Sequence, residues 1–327
     1  MDFDAKFDRR ADSPTAPGTA ELERALRSFL DGRRIERAVP LTGGFVHSNL
    51  ALDLSDGTTC VARLATRPRR SVETEVSILR HLRGRLPVPA VLDFAPDQPS
   101  PGRHVVVLER VEGQLLSRVE DALPVDDVES LGADLGRVLA AIHAVEFGSP
   151  GELAPGPLVG QPFPDFRSAL LGYLRECLAD PRLGERLGEA KCRRLDRFVR
   201  ERAGVLDGMR PTDRLVHADF NHKNLLVRRT PHGWEVAAVL DWEFAFSACP
   251  LADFGNFLRF EAEQPRWREP LVAGYLAAGG DLPARWREIA RFIDLAAMTN
   301  FLTRAESLPR TFRTAAAVVE ATLEGAP

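Results

Sequence analysis

Residues 215–227 decide the fold, and they read Leu-Val-His-Ala-Asp-Phe-Asn-His-Lys-Asn-Leu-Leu-Val. Asp219 follows His217 after one intervening residue, and Asn224 follows Asp219 after four more. A carboxylate and a carboxamide at this spacing place a proton acceptor and a hard oxygen ligand in one short loop. The loop is therefore the first candidate for a catalytic centre.

A β-hairpin is predicted directly after this loop. Residues 225–229 and 235–240 have strand-like sequences, and the Pro-His-Gly of residues 231–233 forms the turn between them. The two ends of a hairpin lie side by side. We therefore expect Asp241, at the end of the second strand, to lie beside Asn224 at the start of the first.

This arrangement resembles the protein-kinase-like fold and, more closely, the aminoglycoside phosphotransferase family of small-molecule kinases. In that family the catalytic loop reads His-Gly-Asp-x4-Asn, and a Trp-Glu or similar pair follows the metal-binding Asp, as in Asp241-Trp-Glu243 here. The resemblance covers residues 38–260 and is looser in the first part. It implies an α+β, bilobal fold, in which an N-lobe with a small antiparallel β-sheet and one helix precedes a larger, mainly helical C-lobe.

The resemblance also implies a role for each residue of the loop. Asp219 accepts the proton of the substrate hydroxyl, and His217 orients the loop by hydrogen bonds. Asn224 and Asp241 supply oxygen ligands to Mg²⁺, which prefers such ligands. Asp253, in a Pro-Leu-Ala-Asp segment, corresponds to a residue that braces the loop. Phosphoryl transfer depends on positioning and charge neutralisation, and these groups provide both.

Other interpretations of the same residues exist. Asp219 and Asn224 are common turn residues, and Asp241 could simply end a strand. The joint spacing favours the catalytic interpretation. A zinc site made of His217, Asp219 and His222 lacks a matching ligand set.

The nucleotide is expected in the first lobe. Residues 41–49, Leu-Thr-Gly-Gly-Phe-Val-His-Ser-Asn, are not a Walker A loop, because no Gly-Lys-Ser/Thr follows. They resemble the short phosphate loop of the family, in which Gly43 and Gly44 allow close backbone approach and Ser48 contacts a phosphate. An ordinary hairpin loop would explain them equally well.

The third strand departs from the kinase pattern. A kinase places a lysine there on the nucleotide phosphates, paired with a helical Glu. This chain has no lysine between Lys6 and Lys191. The corresponding residue is Arg63, with Glu75 as its expected partner. An arginine can bridge phosphate and carboxylate through its fork of donors, but a surface arginine of the strand is the alternative.

Residues 105–111 resemble the strand and hinge that hold the adenine ring. The backbone near Glu109 and Val111 is expected to make the adenine hydrogen bonds. The implied cofactors are ATP and Mg²⁺, and GTP remains possible as the donor.

The acceptor site is less well defined by the sequence. Glu243, Glu261 and Glu263 are candidate substrate contacts, since carboxylates suit a cationic amino sugar. A solvated helix face explains Glu261 and Glu263 as well, and nearby arginines could neutralise them. Antibiotic, amino-alcohol and sugar acceptors all remain open.

The pattern along the chain predicts three regions. Residues 1–18 form a mobile tail, residues 19–108 the N-terminal nucleotide-binding lobe, and residues 109–327 the C-terminal catalytic and substrate-binding lobe. Apolar periodicity predicts helices at 19–30, 71–82, 128–145, 166–178, 187–206, 268–278, 284–303 and 311–323. The hairpin after the catalytic loop is expected to be the only β-pair of the second lobe.

Composition excludes several classes of protein. The 327 residues carry 43 basic and 47 acidic side chains, which argues against a nucleic-acid binder. No apolar run is long enough for a transmembrane helix, and residues 1–10 do not resemble a secretory signal. The 4 scattered cysteines form neither a disulfide framework nor a zinc motif. A cytoplasmic protein without an obligate protein partner is expected.

The sequence thus predicts an ATP-dependent phosphotransferase acting on a small-molecule hydroxyl. An aminoglycoside or other antibiotic is the first candidate acceptor, which would make the protein a resistance enzyme. A metabolic kinase for an amino alcohol or sugar is the first alternative. A nucleotide-binding pseudokinase that acts as a binding module is the second, and Arg63 is the residue that favours it.

Overall fold

A five-stranded antiparallel sheet forms the centre of the N-terminal part of the chain. The computed structural model describes residues 6–8, 18–41, 48–98, 100, 103–156 and 158–325. Five antiparallel strands pair in the order β1-β2-β3-β5-β4. They are β1 Ile35–Leu41, β2 Ser48–Leu54, β3 Thr59–Ala65, β4 Val91–Ala95 and β5 His104–Glu109.

Helices cover both faces of this sheet. Helices α1 (Thr19–Ala25) and α2 (Arg27–Leu30) pack on one face, where Val105 and Val107 of β5 join their apolar side chains. Helix α3 (Arg69–Leu82) packs on the other face, against Val106. This two-sided burial explains why β5 is a continuous apolar run rather than an alternating one.

The C-lobe follows a short connection after β5. Its helices are α4 Leu116–Val119, α5 Val125–His143, α6 Phe166–Ala179, α7 Pro181–Leu187, α8 Glu189–Arg202, α9 Leu251–Phe257, α10 Arg268–Ala277, α11 Trp286–Phe301 and α12 Pro309–Leu323, with 3₁₀ turns at Glu120–Ala122, Ala203–Gly208 and Pro265–Trp267. The apolar faces of these helices and of α3 form one continuous core. The α+β architecture with two lobes is therefore as expected.

The region predicted as one long helix over residues 187–206 is divided. Gly188, with φ +85°, separates α7 from α8, and Ala203–Gly208 continues as a 3₁₀ turn. Glycine adopts positive φ without steric cost, so it ends the first helix there.

The expectation of a single β-pair in the C-lobe is wrong. The predicted hairpin is present, as β10 (Leu225–Thr230) and β11 (Gly233–Val239), but β10 also pairs with β6 (Gln114–Leu115). A separate four-stranded sheet has the order β8-β7-β12-β9, with β7 Gly151–Ala154, β8 Leu158–Pro162, β9 Arg214–Val216 and β12 Phe246–Ala248. These strands have two to five residues, too few for a period-two pattern to emerge.

Part of the segment predicted as a mobile tail contacts the C-lobe. The Asp8 carboxylate accepts hydrogen bonds from the backbone amides of Arg310 and Thr311, in the first turn of α12. The Phe7 ring lies 6.3 Å from the Phe260 ring. An acidic group at a helix N-terminus satisfies amides that have no partner within the helix, so residues 6–8 form part of the C-lobe surface.

Within the described part of the chain, no helix combines the length and the apolarity needed to cross a membrane.

Candidate active site

The catalytic loop joins β9 to β10 and holds the Asp219 carboxylate on both sides. Asn224 Nδ2 donates to Asp219 Oδ2 at 2.6 Å, and Asn221 Nδ2 donates to Oδ1 at 2.7 Å. Asp219 is partly buried. Two amide donors therefore fix the carboxylate in one orientation at the mouth of a cavity.

His217 lies beneath the loop, and its hydrogen bonds define its tautomer. The Asp219 backbone amide donates to His217 Nδ1 at 3.1 Å, so this nitrogen carries no proton. Nε2 therefore carries the proton and donates to the Leu240 carbonyl at 2.9 Å. Burial lowers the pKa of His217, which favours the neutral ring. Its contacts are those of an orienting residue between the loop and the hairpin.

Asp253, at the start of α9, holds the loop from below. Its two carboxylate oxygens accept from the backbone amides of His217 (2.9 Å) and Ala218 (2.8 Å). His143 Nε2 lies 3.1 Å from the same carboxylate, and His143 Nδ1 lies 3.1 Å from the Tyr275 hydroxyl. Asp253 is thus the bracing residue expected from its segment, supported by a buried chain of polar groups.

Ala218 has a strained backbone, with φ +64°. A residue with a Cβ atom pays about 1–2 kcal/mol of conformational energy when its backbone adopts this left-handed region. The hydrogen bond from the Ala218 backbone amide to the Asp253 carboxylate holds the residue in this conformation despite the cost. The family motif has glycine at this position, which adopts the conformation freely.

We expect Ala218→Gly to raise the free energy of unfolding by about 1 kcal/mol, because the relief of strain exceeds the extra freedom of glycine in the unfolded chain. Urea denaturation followed by tryptophan fluorescence measures the change. Ala238→Gly, in buried strand β11, is the matched control and should destabilise by about 1 kcal/mol. An equal loss in both variants would contradict the strain at Ala218.

The hairpin brings the two expected metal ligands together. The Leu240 backbone amide donates to the Asn224 carbonyl at 2.8 Å, so Asp241 comes next to the loop. Asp241 has φ +65°, a left-handed conformation at which the chain turns out of β11. The residues that follow, Glu243 and Phe244, line the cavity. Asp219, Asn224 and Asp241 line the same cavity.

This donor set fits Mg²⁺. Asn224 uses its amide nitrogen on Asp219, which leaves its carbonyl oxygen as a hard ligand atom. Asp241 adds a carboxylate. Among the described residues there is no cluster of three or more His, Cys, Asp or Glu side chains that could hold a metal by itself. One or two protein oxygens completed by phosphate oxygens and water are the usual environment of Mg²⁺, so the pair suits a metal that arrives with a nucleotide.

Arg63 lies between the two lobes and contacts both. Its guanidinium pairs with Glu75 of α3 at 2.5 Å and with Asp241 at 2.6 Å. The side chain is 7% exposed. The expected partner Glu75 is therefore present, and the alternative of a solvated surface arginine is excluded. The contact with Asp241 was not expected.

A model of the phosphotransferase enzyme family (APH) matches residues 37–289, most of the 327-residue chain. The chain belongs to the phosphotransferase enzyme family. It matches no curated protein sequence.

Solved structures of family enzymes share the fold. The GDP and kanamycin complex of APH(2″)-IIIa superposes with a TM-score of 0.70 at 16% identity, covering 94% of this chain and 99% of that chain. The apo form of a thermostable mutant of APH(4)-Ia gives 0.68 at 18% identity, covering 93% and 98%. The protein-kinase-like fold of the family is therefore present.

The electrostatics of this family member raise the pKa of Asp219 to about 7. Burial is the largest cause, and the neighbouring charge of Asp241 adds to it. Arg259 and the Asn224 hydrogen bond act in the opposite direction. A carboxyl group with a pKa near neutrality is suited to accept and release a proton.

The expected phosphate and hinge residues are only partly described. Gly43, Gly44 and the side chain of Ser48 lie outside the described residues. Glu109 ends β5 with an exposed side chain, and the partly buried Val111 lies in the connection to the C-lobe. The hinge positions thus lie between the lobes.

The three expected substrate carboxylates lie in different environments. Glu243 lines the cavity beside Asp219, but its side chain is 1% exposed and Arg67 contacts it at 2.8 Å. Glu261 is buried and pairs with Arg287 at 2.7 Å. Glu263 pairs with Lys6 at 2.5 Å. Glu261 and Glu263 line a second cavity, of about 430 Å³, and not the one beside Asp219.

Two site residues were missed by the sequence interpretation: Asn221 orients Asp219, and Arg67 pairs with Glu243. Arg259 also lines the cavity and pairs with Asp294 at 2.6 Å. Asn221 lies two residues after Asp219, and an Asn side chain commonly forms hydrogen bonds to groups this close in the chain. Its contact with Asp219 could therefore have been predicted from the sequence. Arg67 reaches the site through tertiary packing, for which the sequence has no local signal.

Proposed function

We propose that this protein transfers the γ-phosphate of ATP to a hydroxyl group of a small molecule. The observation that carries the proposal is the convergence of Asp219, Asn224 and Asp241 on one cavity between the lobes. Family membership supports the same class of reaction. The bound GDP, ADP and AMP-PNP in structures of related folds support a nucleoside triphosphate as donor, with GTP as the other possibility.

Each residue has a role that its contacts support. Asp219, held by Asn221 and Asn224, accepts the proton of the acceptor hydroxyl as its oxygen attacks phosphorus. Asn224 and Asp241 would hold Mg²⁺, which neutralises charge on the transferred group. Arg63 would contact the phosphates while Glu75 keeps its fork in place.

A specific contact favours a second candidate function. Arg63 donates to Asp241 Oδ1, an oxygen that a metal would need. A protein that kept this contact permanently would bind a nucleotide without transferring phosphate. The intact set of Asp219, Asn224 and Asp241 supports the enzyme, because a binding module needs no proton acceptor.

The experiment that tests the proposal is ADP release from Mg-ATP. The panel contains aminoglycosides, other antibiotics, amino alcohols and sugars, with the Asp219→Ala variant as control. Turnover of one class that disappears in the variant is the expected result. Mg²⁺-dependent ATP binding without turnover of any compound would favour the binding module.

The pKa of Asp219 predicts the pH dependence of the reaction. Only the ionised carboxylate accepts a proton, and its fraction falls as the pH drops through the pKa. We expect kcat/KM for the nucleotide, which reports the free enzyme, to decrease about tenfold per pH unit below about pH 7. A cation on Asp241 lowers the pKa, so higher Mg²⁺ should move the midpoint to lower pH. A flat profile between about pH 5 and about pH 8 would contradict this role.

A further inference from the structure

The cavity beside Asp219 has a mainly apolar acceptor side. The volume of the whole cavity is about 120 Å³. Five aromatic rings and a leucine line it: Phe7, Phe244, Phe257, Phe260, Phe301 and Leu308. Phe257 and Leu308 are buried, and the Phe7 ring lies 6.4 Å from that of Phe301. These side chains offer contact area rather than hydrogen bonds.

Every carboxylate of the described cavity lining already has a partner. Asp241 pairs with Arg63, and Glu243 pairs with Arg67. Asp8 accepts from two backbone amides of α12, and Asp219 accepts from two side-chain amides. Arginines therefore already neutralise Asp241 and Glu243, and a cationic acceptor would compete with them for these two carboxylates. Asp8 and Asp219 hold neutral amide donors instead.

Three cationic side chains line the same cavity. They are Lys223, Arg259 and Arg304. The Lys223 ammonium lies 5.3 Å from the Phe7 ring centre, and the Arg304 guanidinium lies 4.3 Å from that of Phe301. Arg259 is neutralised by Asp294 at 2.6 Å. Lys223 and Arg304 hold their charges over aromatic faces, a favourable arrangement that also places two cations beside the surface that a cationic acceptor would approach.

The volume of the cavity limits the size of the group that can enter it. A cavity of about 150 Å³ lined by apolar side chains accommodates a benzene molecule. The cavity beside Asp219 is slightly smaller, so it takes a single ring at the position from which a hydroxyl reaches Asp219.

We infer that the acceptor carries its hydroxyl on an uncharged, apolar group of about one ring, and that a polycationic amino sugar is not the acceptor. This inference rests on the proposed function and specifies its substrate class. The sequence analysis named three carboxylates as candidate contacts for a cationic substrate, with neutralisation of Glu261 and Glu263 by nearby arginines as the alternative. In the structure Arg67 pairs with Glu243, Arg287 with Glu261 and Lys6 with Glu263.

The test uses a matched pair of probes, benzyl alcohol and 4-(aminomethyl)benzyl alcohol, which differ by one ammonium group. Kanamycin and hygromycin B are the polycationic probes. Binding to the full-length protein is measured by calorimetry and ligand-observed NMR without nucleotide, so the result does not depend on phosphoryl transfer. Benzyl alcohol should bind at least about tenfold more tightly than its aminomethyl analogue, and neither aminoglycoside should displace it.

Two variants locate the binding. Phe301→Ala removes a ring of the lining and should weaken benzyl alcohol binding about tenfold. Phe198→Ala removes a partly buried ring that stacks on Phe292, outside the cavity lining, and should leave binding unchanged. Equal effects of both variants would overturn the placement of the probe.

Three results would overturn the inference of substrate class. They are preferential binding of the aminomethyl analogue, displacement of benzyl alcohol by either aminoglycoside, and absence of benzyl alcohol binding. Failure of the proposed function gives a different pattern, in which benzyl alcohol binds as expected but ADP release stays at the level of the Asp219→Ala variant with every hydroxyl compound.

Discussion

Replacing Asp219 with alanine should lower kcat by about 1000-fold and leave nucleotide affinity within about threefold of the wild type. In the proposed reaction the carboxylate accepts the hydroxyl proton, so its loss would remove both this proton transfer and the orientation of the attacking oxygen. Nucleotide affinity should persist, because Arg63, Asn224 and Asp241 remain in place. Steady-state ADP release gives kcat, and calorimetry with Mg-ADP gives the affinity.

The control for this variant is Asp213→Ala. Asp213 lies six residues upstream, just before β9, and its carboxylate lies 3.6 Å from Arg214 rather than in the cavity. Its loss should change kcat by less than about twofold. If Asp219→Ala kept kcat within about tenfold of the wild type, Asp219 would not be the proton acceptor.

Replacing Arg63 with methionine should destabilise the protein by about 3–5 kcal/mol and sharply weaken nucleotide binding. The substitution removes the cation that both Glu75 and Asp241 contact while Glu75 stays buried. A buried charge that loses its counter-ion costs far more than the pair contributes. Urea denaturation measures the stability, and calorimetry with Mg-ADP measures the affinity.

Two further variants separate the structural role of Arg63 from its contact with phosphate. Arg63→Met combined with Glu75→Gln removes both charges, so much of the stability should return while nucleotide affinity stays low. Arg63→Lys keeps the charge found in kinases and should retain nucleotide affinity within about tenfold of the wild type. Wild-type affinity in the Met/Gln double variant would show that the phosphates are held elsewhere.

The contact between Arg63 and Asp241 bears on both candidate functions. Asp241 would have to give up its contact with Arg63 to hold a metal, so the proposed reaction would require the guanidinium to move from the carboxylate to the phosphates. An arginine has five donors and can exchange one partner while it keeps Glu75. The contact is therefore compatible with an enzyme in which nucleotide binding rearranges the ion pair.

Spacing along the chain was sufficient to predict the local structure of the site. His217, Asp219 and Asn224 lie in one loop, and hairpin geometry alone was enough to bring Asp241 to it, since the ends of paired strands are neighbours. The long helices were predicted within a few residues of their ends because their apolar faces repeat over several turns, as in α5. The short strands β7, β9 and β12 were not, because so few residues carry no period.

The sequence by itself determined the fold class, the family and the loop of residues 215–227, because these depend on residues close together in the chain. Only the tertiary structure decided the charge of the acceptor side. The sequence presents Glu243 as a candidate substrate contact, but in the fold Arg67, 176 positions away, pairs with it. The sequence places Phe7 in a mobile tail, but in the fold its ring contacts that of Phe301. Electrostatic neutralisation and apolar contact depend on distance in space, and folding brings together side chains that the sequence keeps far apart.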